Sequence, residues 1–373
     1  MGQCEKIGII GDGQLALMLA EALEKRGFSF LALSEASDSP MHTFFPHAVI
    51  SDERKFREEC SLFTLENEFH TIPELTALLG DKINQLFPDA DSYAFFADKI
   101  SQRIFFDKCG IPSPKWVALR TSEDLKHLSE FSFPFILKAS KGGYDGKGVR
   151  VIQDKNDIDM ALKDFPFSEG NELLVEEKVA IIKEIAQGFL RHQNGKFTLL
   201  PLVHTVQEKG VCNLVKYPAD VDQNISQKIE SFLKKMIDQG LIGIFNFEFF
   251  LDQNGNVLIN EGAPRTHNSQ HLTIDASTHS QFDLLALYLA QPDELPETIS
   301  TRPSIMVNIL GKRSDPPGEL RLPEFTSVEI HPKLYGKSKS SPGRKLGHVN
   351  VVDSSGSHDL LSIGRQILQE YDL

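Results

Sequence analysis

The stretch KASKGGYDGKGVRV, Lys138 to Val151, places a glycine-rich loop between two short apolar runs. It fails the Walker pattern, because Gly148 follows Lys147 where a Ser or Thr is required and because a strand-like segment comes next instead of a helix. Successive glycine N–H groups at a hairpin tip can still bind an anion, as the glycine-rich loop of protein kinases does. The stretch therefore predicts a phosphate-binding hairpin, with a purely structural turn as the alternative.

A second hairpin is predicted by IFNFEFFLDQNGNVLINEGAPR, Ile244 to Arg265. Asn254-Gly255 is the strongest short-range hairpin signal, and a two-residue type I′ turn there pairs Gln253 with Asn256. The alternate phenylalanines of the first strand predict one buried face, so the residues between them point to the opposite face.

Two carboxylates oppose each other in that register. Glu248 lies directly across from Glu261, with Cβ atoms about 4.5–5.5 Å apart. Two like charges so placed repel unless a cation lies between them, which favours a metal site over a solvated acidic pair. Asn260 has the opposite facing, and it joins this site only if the strand ends or bulges there.

The N-terminal GDGQLA motif places Gly11, Gly13 and Ala16 in the G-x-G-x-x-G/A spacing, after a strand and before a helix. Glu35 ends the next strand, which completes the context of a dinucleotide site. Glycines at a helix N-terminus allow backbone N–H groups to approach any phosphate, so the motif is weak on ligand identity. NAD or FAD, another phosphorylated ligand and a purely structural turn all remain open.

Composition excludes several classes of protein. A net charge of −13 argues against a nucleic-acid partner, and no apolar run is long enough to cross a membrane. The four cysteines lie far apart without a CxxC pair, so neither a disulfide framework nor a thiolate zinc site is indicated. The first residues lack a basic, apolar leader, and we expect a cytoplasmic protein.

The chain of 373 residues predicts two or three domains. We expect an N-terminal α/β domain over residues 1–95, a larger domain over 96–294 with a mobile lid around 112–176, and a small β-rich domain over 295–373. The segment SYAFFADKISQRIFFDKCGIPSP, residues 92–114, predicts a helix that Gly110 and Pro112 terminate. An Asn194-Gly195 turn predicts one further hairpin.

Several motifs together resemble a known family over nearly the whole chain. They are GDGQLALM, TLENE, GGYDGKG, VEEKVAIIKE, NEGAPRTHNSQH, MVNILG and GRKLGH. The sequence resembles the N5-carboxyaminoimidazole ribonucleotide synthetases, ATP-grasp ligases of purine biosynthesis. The resemblance implies mixed α/β and α+β architecture: an ATP-grasp fold with an N-terminal Rossmann-like domain and a small C-terminal domain. It also implies a homodimer.

The implied reaction uses ATP to phosphorylate bicarbonate. The resulting carboxyphosphate, or CO₂ released from it, then carboxylates the exocyclic amine of 5-aminoimidazole ribonucleotide, and ADP and phosphate are released. The resemblance implies that Mg²⁺, or Mn²⁺ in its place, is held by Glu248 and Glu261. The implied ATP-binding residues are Lys99, Lys138, Gly143, Tyr144, Asp145, Gly146, Lys147, Gly148, the adenine hinge at Glu176, Glu177 and Val179, the ribose ligand Glu184, Gln207 and Asn260.

The same resemblance assigns the second substrate. Tyr144 and Asp145, and either Glu66 or Glu68, are expected near the aminoimidazole. The residues expected around bicarbonate and the ribotide phosphate are Arg265, His267, Asn268, Lys337, Arg344 and Lys345. Arg and Lys offer charge-assisted bonds to both anions in a chain that is otherwise acidic. Alternatively, the GRKLGH turn is a solvated basic loop, and His267 has no direct part in the chemistry.

The chain departs from the family pattern at six positions: Asp12, Ala16, Leu17, Lys99, Gln207 and Gln270. A lysine at 99 cannot make the bidentate contact of the usual arginine. Asp12 would repel a phosphate at the N-terminal turn. The alternatives are therefore another ATP-grasp ligase, such as a formate-dependent glycinamide ribonucleotide transformylase, a non-catalytic nucleotide-binding homologue, or a nicotinamide-dependent dehydrogenase that uses the N-terminal turn.

Overall fold

The computed structural model describes residues 6–36, 38–142, 148–165, 171–208, 210–313 and 317–373, which form three β-sheets with helices packed around them. The strands are β1 Lys6–Ile10, β2 Phe30–Leu33, β3 Val49–Ile50, β4 Cys60–Leu65, β5 Leu86–Phe87, β6 Trp116–Leu119, β7 Phe135–Ala139, β8 Val149–Ile152, β9 Leu173–Glu177, β10 Ile181–Arg191, β11 Phe197–Leu199, β12 Val203–Glu208, β13 Val211–Tyr217, β14 Gly243–Asp252, β15 Val257–Ala263, β16 Ser304–Leu310, β17 Glu329–Leu334 and β18 Lys345–Val352. The α-helices are α1 Gln14–Lys25, α2 Pro40–Phe44, α3 Glu53–Glu59, α4 Ile72–Leu79, α5 Ala90–Ala94, α6 Lys99–Lys108, α7 Lys155–Asp164, α8 Gln223–Asp238, α9 Thr273–Ala276, α10 Gln281–Ala290 and α11 Leu360–Glu370. Short 3₁₀ helices span Pro46–Ala48, Gly80–Gln85, Ser122–Glu130, Asn268–Gln270 and Pro292–Glu294.

The N-terminal sheet is parallel, with strand order β3-β2-β1-β4-β5. The turn after β1 passes through Gly11 at a φ of 119°, a conformation that favours glycine, and leads directly into α1. The predicted βαβ unit is therefore confirmed. The apolar side of α1 packs in one core with Leu284 and Leu285 of α10, so the first domain is completed by residues far along the chain.

The helix predicted from residue 92 is two helices, α5 and α6, separated at residues 95–98. Asp98 interrupts it, because its carboxylate accepts a hydrogen bond from Ser101 N at 2.8 Å and so caps a new helix. Phe96, in the break, is buried against Phe105 and Phe245. The predicted stop at Gly110 is confirmed, with a φ of 62°.

A large antiparallel sheet follows the order β15-β14-β10-β12-β13-β16-β18-β17, with β11 added on β10. The β10–β11 pair is the hairpin predicted from Asn194-Gly195. Strand β16 pairs with β13, so the C-terminal strands extend the sheet of the preceding domain. The predicted boundary near residue 295 therefore separates segments of the chain but not two separate sheets.

A smaller antiparallel sheet, here called the lid sheet, has the order β6-β9-β7-β8. One face packs on α7 and the 3₁₀ helix Ser122–Glu130 through a core that includes Phe135, Leu137 and Val175. Lys138 pairs with Val149 across β7 and β8, which confirms the hairpin predicted around the glycine-rich stretch. Its tip, Gly143 to Lys147, lies outside the described residues.

Candidate active site

Glu248 of β14 and Glu261 of β15 are directly paired across the ladder, as predicted. The turn that joins the two strands differs from the predicted turn. Near the turn Leu251 pairs with Val257, and Asp252 N donates to Asn256 O at 3.0 Å, so the loop has three residues and the predicted pairing of Gln253 with Asn256 is wrong.

A β-bulge restores the predicted pair. Phe249 pairs with Ile259 while Glu248 pairs with Glu261, so Asn260 is the extra residue in β15. A bulge re-aims the side chain of the inserted residue and often lies beside a functional site. Asn260 Oδ1 accepts a hydrogen bond from Lys138 Nζ at 3.3 Å, so its amide turns towards the lid sheet. The bulge that Asn260 required to join the site is therefore present.

Glu184 of β10 is the third carboxylate in this region. Burial raises its pKa to about 7, and the charge of Glu261 adds to the effect. Burial likewise raises the pKa of Glu248 to about 8, with further contributions from Glu261 and Glu184. Glu184 and Glu248 therefore resist ionisation unless a cation lies beside them.

An amide and an ammonium group lie beside these carboxylates. Gln207 Nε2 donates to Glu248 Oε2 at 3.5 Å, and Lys99 Nζ lies 3.8 Å from Glu261 Oε2. Among the described residues, no group of three or more His, Cys, Asp or Glu side chains is arranged to hold a metal ion. A metal here would therefore rest on the two paired carboxylates and on ligands that come from elsewhere.

Lys138 projects from the face of the lid sheet opposite its core. Its Nζ lies 2.6 Å from Glu176 Oε2, and Arg103 of α6 donates to Glu176 Oε1 through Nε at 2.5 Å and through Nη2. The Glu176 side chain is 2% exposed. Both carboxylate oxygens are therefore bound to buried cations, and the place of Glu176 in an adenine hinge stays a prediction that concerns its backbone.

The remaining hinge residues follow the end of β9. Glu177 N donates to Lys115 O at 2.9 Å, and the Glu177 carboxylate accepts from Lys115 N at 2.8 Å. These bonds fix the strand end immediately before Val179. Whether the backbone of Glu177 or Val179 contacts an adenine stays a prediction.

The face of the lid sheet that carries Lys138 and Glu176 also carries apolar side chains. Lys138 pairs with Val149, and Ile136 pairs with Val151, so all four side chains share one face. Val149 and Val151 are each 38% exposed. Because Lys138 donates a hydrogen bond to Asn260, this face lies towards the β14–β15 hairpin that carries Glu248 and Glu261, here called the acidic hairpin. The two exposed valines offer a surface for a flat apolar group.

Helix α6 connects the two sheets. Lys99 N donates to Ser140 O at 2.9 Å on the lid side. Gln102 Oε1 accepts from Gly262 N at 3.0 Å on the hairpin side. Gln102 and Arg103 thus join α6 to the two sheets, and the sequence patterns did not predict these contacts.

Arg265 lies at the end of the acidic hairpin and forms a two-point ion pair with Glu68. Its Nη2 donates to Glu68 Oε1 at 2.9 Å, and its Nε donates to Oε2. Burial would raise the pKa of Glu68, but the Arg265 guanidinium holds that pKa below its usual range. Two predicted substrate-site residues from distant parts of the chain are therefore joined.

Glu66 is bound to the backbone of the N-terminal turn, and which of Glu66 or Glu68 contacts the aminoimidazole stays a prediction. The Glu66 carboxylate accepts hydrogen bonds from Gly13 N at 2.5 Å and from Leu15 N at 3.1 Å. A Cβ atom at Gly11 would lie 2.7 Å from Glu66 Oε2. The glycine-rich turn therefore holds an internal carboxylate where a dinucleotide phosphate would bind. Asp12 is turned away, because its Oδ2 accepts from Ser34 Oγ at 2.6 Å.

His267 lies between Glu248 and Ser269. Its Nε2 lies 4.0 Å from Glu248 Oε1, and its Nδ1 lies 2.9 Å from Ser269 Oγ. Burial lowers its pKa to about 3, with Arg265 and Lys345 as further causes, so the imidazole is neutral. It is therefore suited to orient a neighbour and not to supply positive charge.

Asn268 is held by a residue of the C-terminal strands. Asn268 Nδ2 donates to Asn308 Oδ1 at 2.9 Å, and Asn308 Nδ2 donates back to Asn268 Oδ1 at 2.7 Å. Asn308 Nδ2 also donates to Cys212 O at 2.8 Å. Asn308 is fully buried in the MVNILG strand, and its role was missed because the quoted motif suggested no chemistry.

The predicted phosphate cations cluster where β18 begins. Lys337 Nζ donates to Lys345 O at 2.9 Å, and Arg344 Nη1 donates to Lys339 O at 2.9 Å. The positive charge of Lys345 partly opposes the burial that raises the pKa of Glu248, and it adds to the burial that lowers the pKa of His267, so its charge acts near the acidic region. Gln270 is buried, and its Nε2 donates to Pro201 O at 3.1 Å, so this departure from the family pattern has a packing role.

A cavity of about 580 Å³ opens beside the Glu68 carboxylate. It lies between the start of α4 and the loop before α6, and Phe69, Ile72 and Ala97 form much of its apolar wall. A second cavity of about 310 Å³ is lined by Gln187, Tyr217 and Thr301 and contains none of the predicted site residues. The first cavity is therefore the one that borders the candidate site.

Two parts of the chain match known family models. Residues 104–282 match the family model of the ATP-grasp domain, and residues 304–359 match the model of the phosphoribosylaminoimidazole carboxylase C-terminal domain. No helix among the described residues is long and apolar enough to span a membrane. The fold and site thus define an ATP-grasp ligase.

Its family is set by similarity along nearly the whole chain. The chain is 34% identical to the N5-carboxyaminoimidazole ribonucleotide synthase of Aquifex aeolicus (strain VF5), over 94% of this chain and 92% of that protein. It is 32% identical to the synthase of Staphylococcus aureus (strain MRSA252), over 93% and 92%. The chain belongs to the N5-carboxyaminoimidazole ribonucleotide synthase family.

Solved structures show the same similarity. The synthetase from Staphylococcus aureus complexed with ADP superposes with a TM-score of 0.84 at 27% identity, covering 98% of this chain and 96% of that one. The synthase from Aspergillus clavatus, in complex with ADP and 5-aminoimidazole ribonucleotide, gives a TM-score of 0.82 at 25% identity, covering 99% and 98%.

Proposed function

We propose that this chain uses ATP and bicarbonate to carboxylate 5-aminoimidazole ribonucleotide, forming N5-carboxyaminoimidazole ribonucleotide, ADP and phosphate. One observation carries the proposal beyond family membership. Lys138 Nζ reaches Asn260 Oδ1 at 3.3 Å, beside the facing pair Glu248 and Glu261. This contact brings a cation suited to phosphate binding to the carboxylates suited to a metal.

The residues around the pair fit Mg²⁺. They offer oxygen atoms of Glu248, Glu261 and Asn260, the ligand type that this ion prefers. Burial and the charges of Glu261 and Glu184 raise the pKa of Glu248 to about 8, and a bound cation would favour its ionised form. Because Mg²⁺ commonly uses one or two carboxylates and completes its shell with phosphates and water, a third protein carboxylate is not required. When bound, the ion neutralises charge on the phosphates during transfer.

The nucleotide would lie between the lid sheet and the acidic hairpin. Its base would pack on the apolar face at Val149 and Val151, with backbone groups near Val179 at its edge. Lys138 would bind the phosphates, and Glu184 would accept hydrogen bonds from the ribose. The partly buried position of Glu184 suits a carboxylate that binds hydroxyl groups in either protonation state.

The ribotide and bicarbonate would lie on the side of Arg265. We infer that Arg265, which Glu68 orients, binds bicarbonate with Asn268, and that Lys337, Arg344 and Lys345 bind the ribotide phosphate. Neutral His267 would donate or accept a hydrogen bond and bring no competing charge. The cavity beside Glu68 provides space for the aminoimidazole ring.

The chemistry divides into two transfers. A bicarbonate oxygen forms a bond to the γ-phosphorus of ATP, while the bond from that phosphorus to the ADP oxygen breaks. The ribotide amine nitrogen then forms a bond to the carboxyl carbon, directly or after release of CO₂. The carbon–oxygen bond to phosphate breaks, and the proton lost from nitrogen passes to the released phosphate. The protein's part is to hold the two anions and the amine in line.

A cytoplasmic homodimer completes the proposal. The family resemblance supports it, and light scattering on the purified chain measures the oligomeric state directly. A mass corresponding to a single chain of 41.8 kDa would contradict the dimer.

Omitting one substrate at a time tests the reaction. ADP release that requires both bicarbonate and 5-aminoimidazole ribonucleotide, with ¹³C from labelled bicarbonate recovered on the ribotide, is the expected result. ADP release that is indifferent to the ribotide would exclude this activity. Binding of ADP without any turnover would indicate a nucleotide-binding homologue instead of an enzyme.

A further inference from the structure

A buried ion triad joins α6 to the lid sheet. Arg103 donates to Glu176 Oε1 through Nε at 2.5 Å and through Nη2, and Lys138 Nζ lies 2.6 Å from Glu176 Oε2. Arg103 and Glu176 are each 2% exposed, and Lys138 is 9% exposed. Such groups remain charged only because each lies against an opposite charge.

The triad contains two cations and one carboxylate. With Lys138 as its sole partner, Glu176 would neutralise the Lys138 charge that the proposed site needs for phosphates. Arg103 takes up one Glu176 oxygen with two of its nitrogens, so one positive charge remains over the group. Burial alone would raise the pKa of Glu176, but Lys138 and Arg103 together hold it below its usual range.

The orientation of the triad is also fixed. Ile136 pairs with Glu176 and Lys138 pairs with Leu174, so Lys138 and Glu176 lie on one face of the lid sheet as diagonal neighbours. Arg103 approaches from α6, which is itself tied to the acidic hairpin by Gln102 Oε1 and Gly262 N. The Lys138 ammonium is therefore held between Glu176 and Asn260, on the side of the metal carboxylates.

We propose that Arg103 is a positioning residue that offsets the charge of Glu176 and thereby leaves the positive charge of Lys138 available to the nucleotide phosphates. The inference rests on the proposed nucleotide site at Lys138. It adds a residue that does not touch the nucleotide and that acts through Glu176. It also explains why a carboxylate is tolerated 2.6 Å from a phosphate-binding lysine.

Variants that remove one or both charges of the Arg103–Glu176 pair test this role. We would measure ADP binding by calorimetry in the presence of MgCl₂ for the native chain, Arg103→Met, Arg103→Lys and the double variant Arg103→Met/Glu176→Gln. Arg103→Met leaves Glu176 to Lys138 alone, and ADP affinity should fall about 10- to 100-fold. The double variant removes both charges of the Arg103–Glu176 pair, and it should bind ADP at least about tenfold more tightly than Arg103→Met.

Two further variants separate charge from packing. Arg103→Lys keeps the charge and should lose less than about fivefold in ADP affinity. Lys108→Met removes an exposed cation from the end of the same helix and should change ADP affinity less than about twofold. Thermal unfolding of each variant identifies those that fold. If Arg103→Met does not fold, a folded double variant that has lost ADP binding would overturn the proposal.

The outcomes distinguish failure of the proposed function from failure of the role proposed for Arg103. Failure of the native chain to bind ADP would overturn the proposed function itself. Native binding combined with equal losses in Arg103→Met and the double variant would overturn only the role of Arg103, because a packing role predicts no recovery when Glu176 is also neutralised. Recovery in the double variant is the expected result.

Discussion

Glu248 and Glu261 face each other across the β14–β15 ladder because Asn260 is inserted as an extra residue in β15. Without this bulge, the three-residue loop would place Glu261 one position out of register with Glu248. The bulge brings the two carboxylates together and turns the Asn260 amide towards Lys138. One inserted residue thus assembles the oxygen atoms of the proposed metal site.

Replacing Glu261 with Gln should separate catalysis from stability. Loss of one carboxylate removes a proposed Mg²⁺ ligand, and we expect kcat/KM to fall about 100-fold or more. In metal-free buffer the change should leave the melting temperature equal or raise it, because it removes a like charge that faces Glu248. Steady-state kinetics and thermal unfolding with EDTA measure both quantities. Unchanged Mg²⁺-dependent turnover would contradict the metal assignment.

The stability of the metal-free protein should decrease as pH rises. The pKa of Glu248 is raised from 4.5 to about 8, so between these values the folded protein keeps a proton that the unfolded chain has lost. The stability contribution is complete below about 4.5 and is lost as pH rises through the folded value. We expect Glu248 to account for roughly 2–4 kcal/mol of this decrease.

Urea unfolding at pH 5 and pH 8.5 in EDTA measures the effect. The Glu248→Gln variant is the matched control, because it cannot titrate and should show a flatter dependence on pH. Added MgCl₂ should reduce the decrease in the native chain, because a bound cation favours ionised carboxylates. Equal pH dependence in the native chain and the variant would show that Glu248 is not the source.

Replacing Asn308 with Leu should impair the use of ribotide and bicarbonate more than the binding of nucleotide. The change removes the reciprocal amide bonds that hold Asn268 and the donor to Cys212 O. Unpaired buried polar groups cost roughly 1–3 kcal/mol, and we expect KM for these substrates to rise about tenfold. ADP affinity measured by calorimetry should change less than about twofold.

The control lies on the same strand. Ser304 is buried, and its hydroxyl has no hydrogen-bond partner among the described residues, so Ser304→Ala should be neutral or slightly stabilising. An Asn308→Leu enzyme with native KM values would show that the amide pair does not position Asn268.

Removing the Glu66 carboxylate should destabilise the N-terminal domain. Gly13 N and Leu15 N would lose their acceptor, and we expect Glu66→Ala to cost roughly 1–3 kcal/mol in the free energy of unfolding. Glu35→Ala is the matched control, because Glu35 is exposed at the end of the following strand and should change stability by less than about 0.5 kcal/mol.

Comparison of the native chain with Glu35→Ala also tests whether the glycine-rich turn binds a dinucleotide. If Glu35 contacted a nicotinamide dinucleotide, the native chain would bind NAD and Glu35→Ala would lose that binding. We expect no heat of NAD binding for either protein. A micromolar NAD site abolished by Glu35→Ala would contradict the internal role assigned to the turn.

The acidic hairpin shows which structural features local sequence patterns predict. Alternation of Phe245, Phe247 and Phe249 set which face is buried, and it placed Glu248 on the opposite face. The pairing of Glu248 with Glu261 was correct although the turn was assigned two residues instead of three. The bulge at Asn260 compensated for that error, and a bulge is not specified by periodicity because its geometry depends on the neighbouring strands.

The helix break at Asp98 marks the opposite case. A continuous apolar pattern predicted one helix, but the Asp98 cap and the burial of Phe96 in a core shared with Phe245 were decided by packing. Glu66 illustrates the same limit in the site. Family resemblance places either Glu66 or Glu68 near a substrate, and only the structure shows that the Glu66 carboxylate accepts hydrogen bonds from Gly13 N and Leu15 N.

The family, the glycine-rich hairpin and the identities of the paired carboxylates follow from the amino-acid sequence, because local alternation and contiguous motifs encode them. The partners of the charged groups depend on the tertiary structure. Arg103 and Glu176 are 73 residues apart in the chain, and no local pattern predicts that two such groups will share a buried contact.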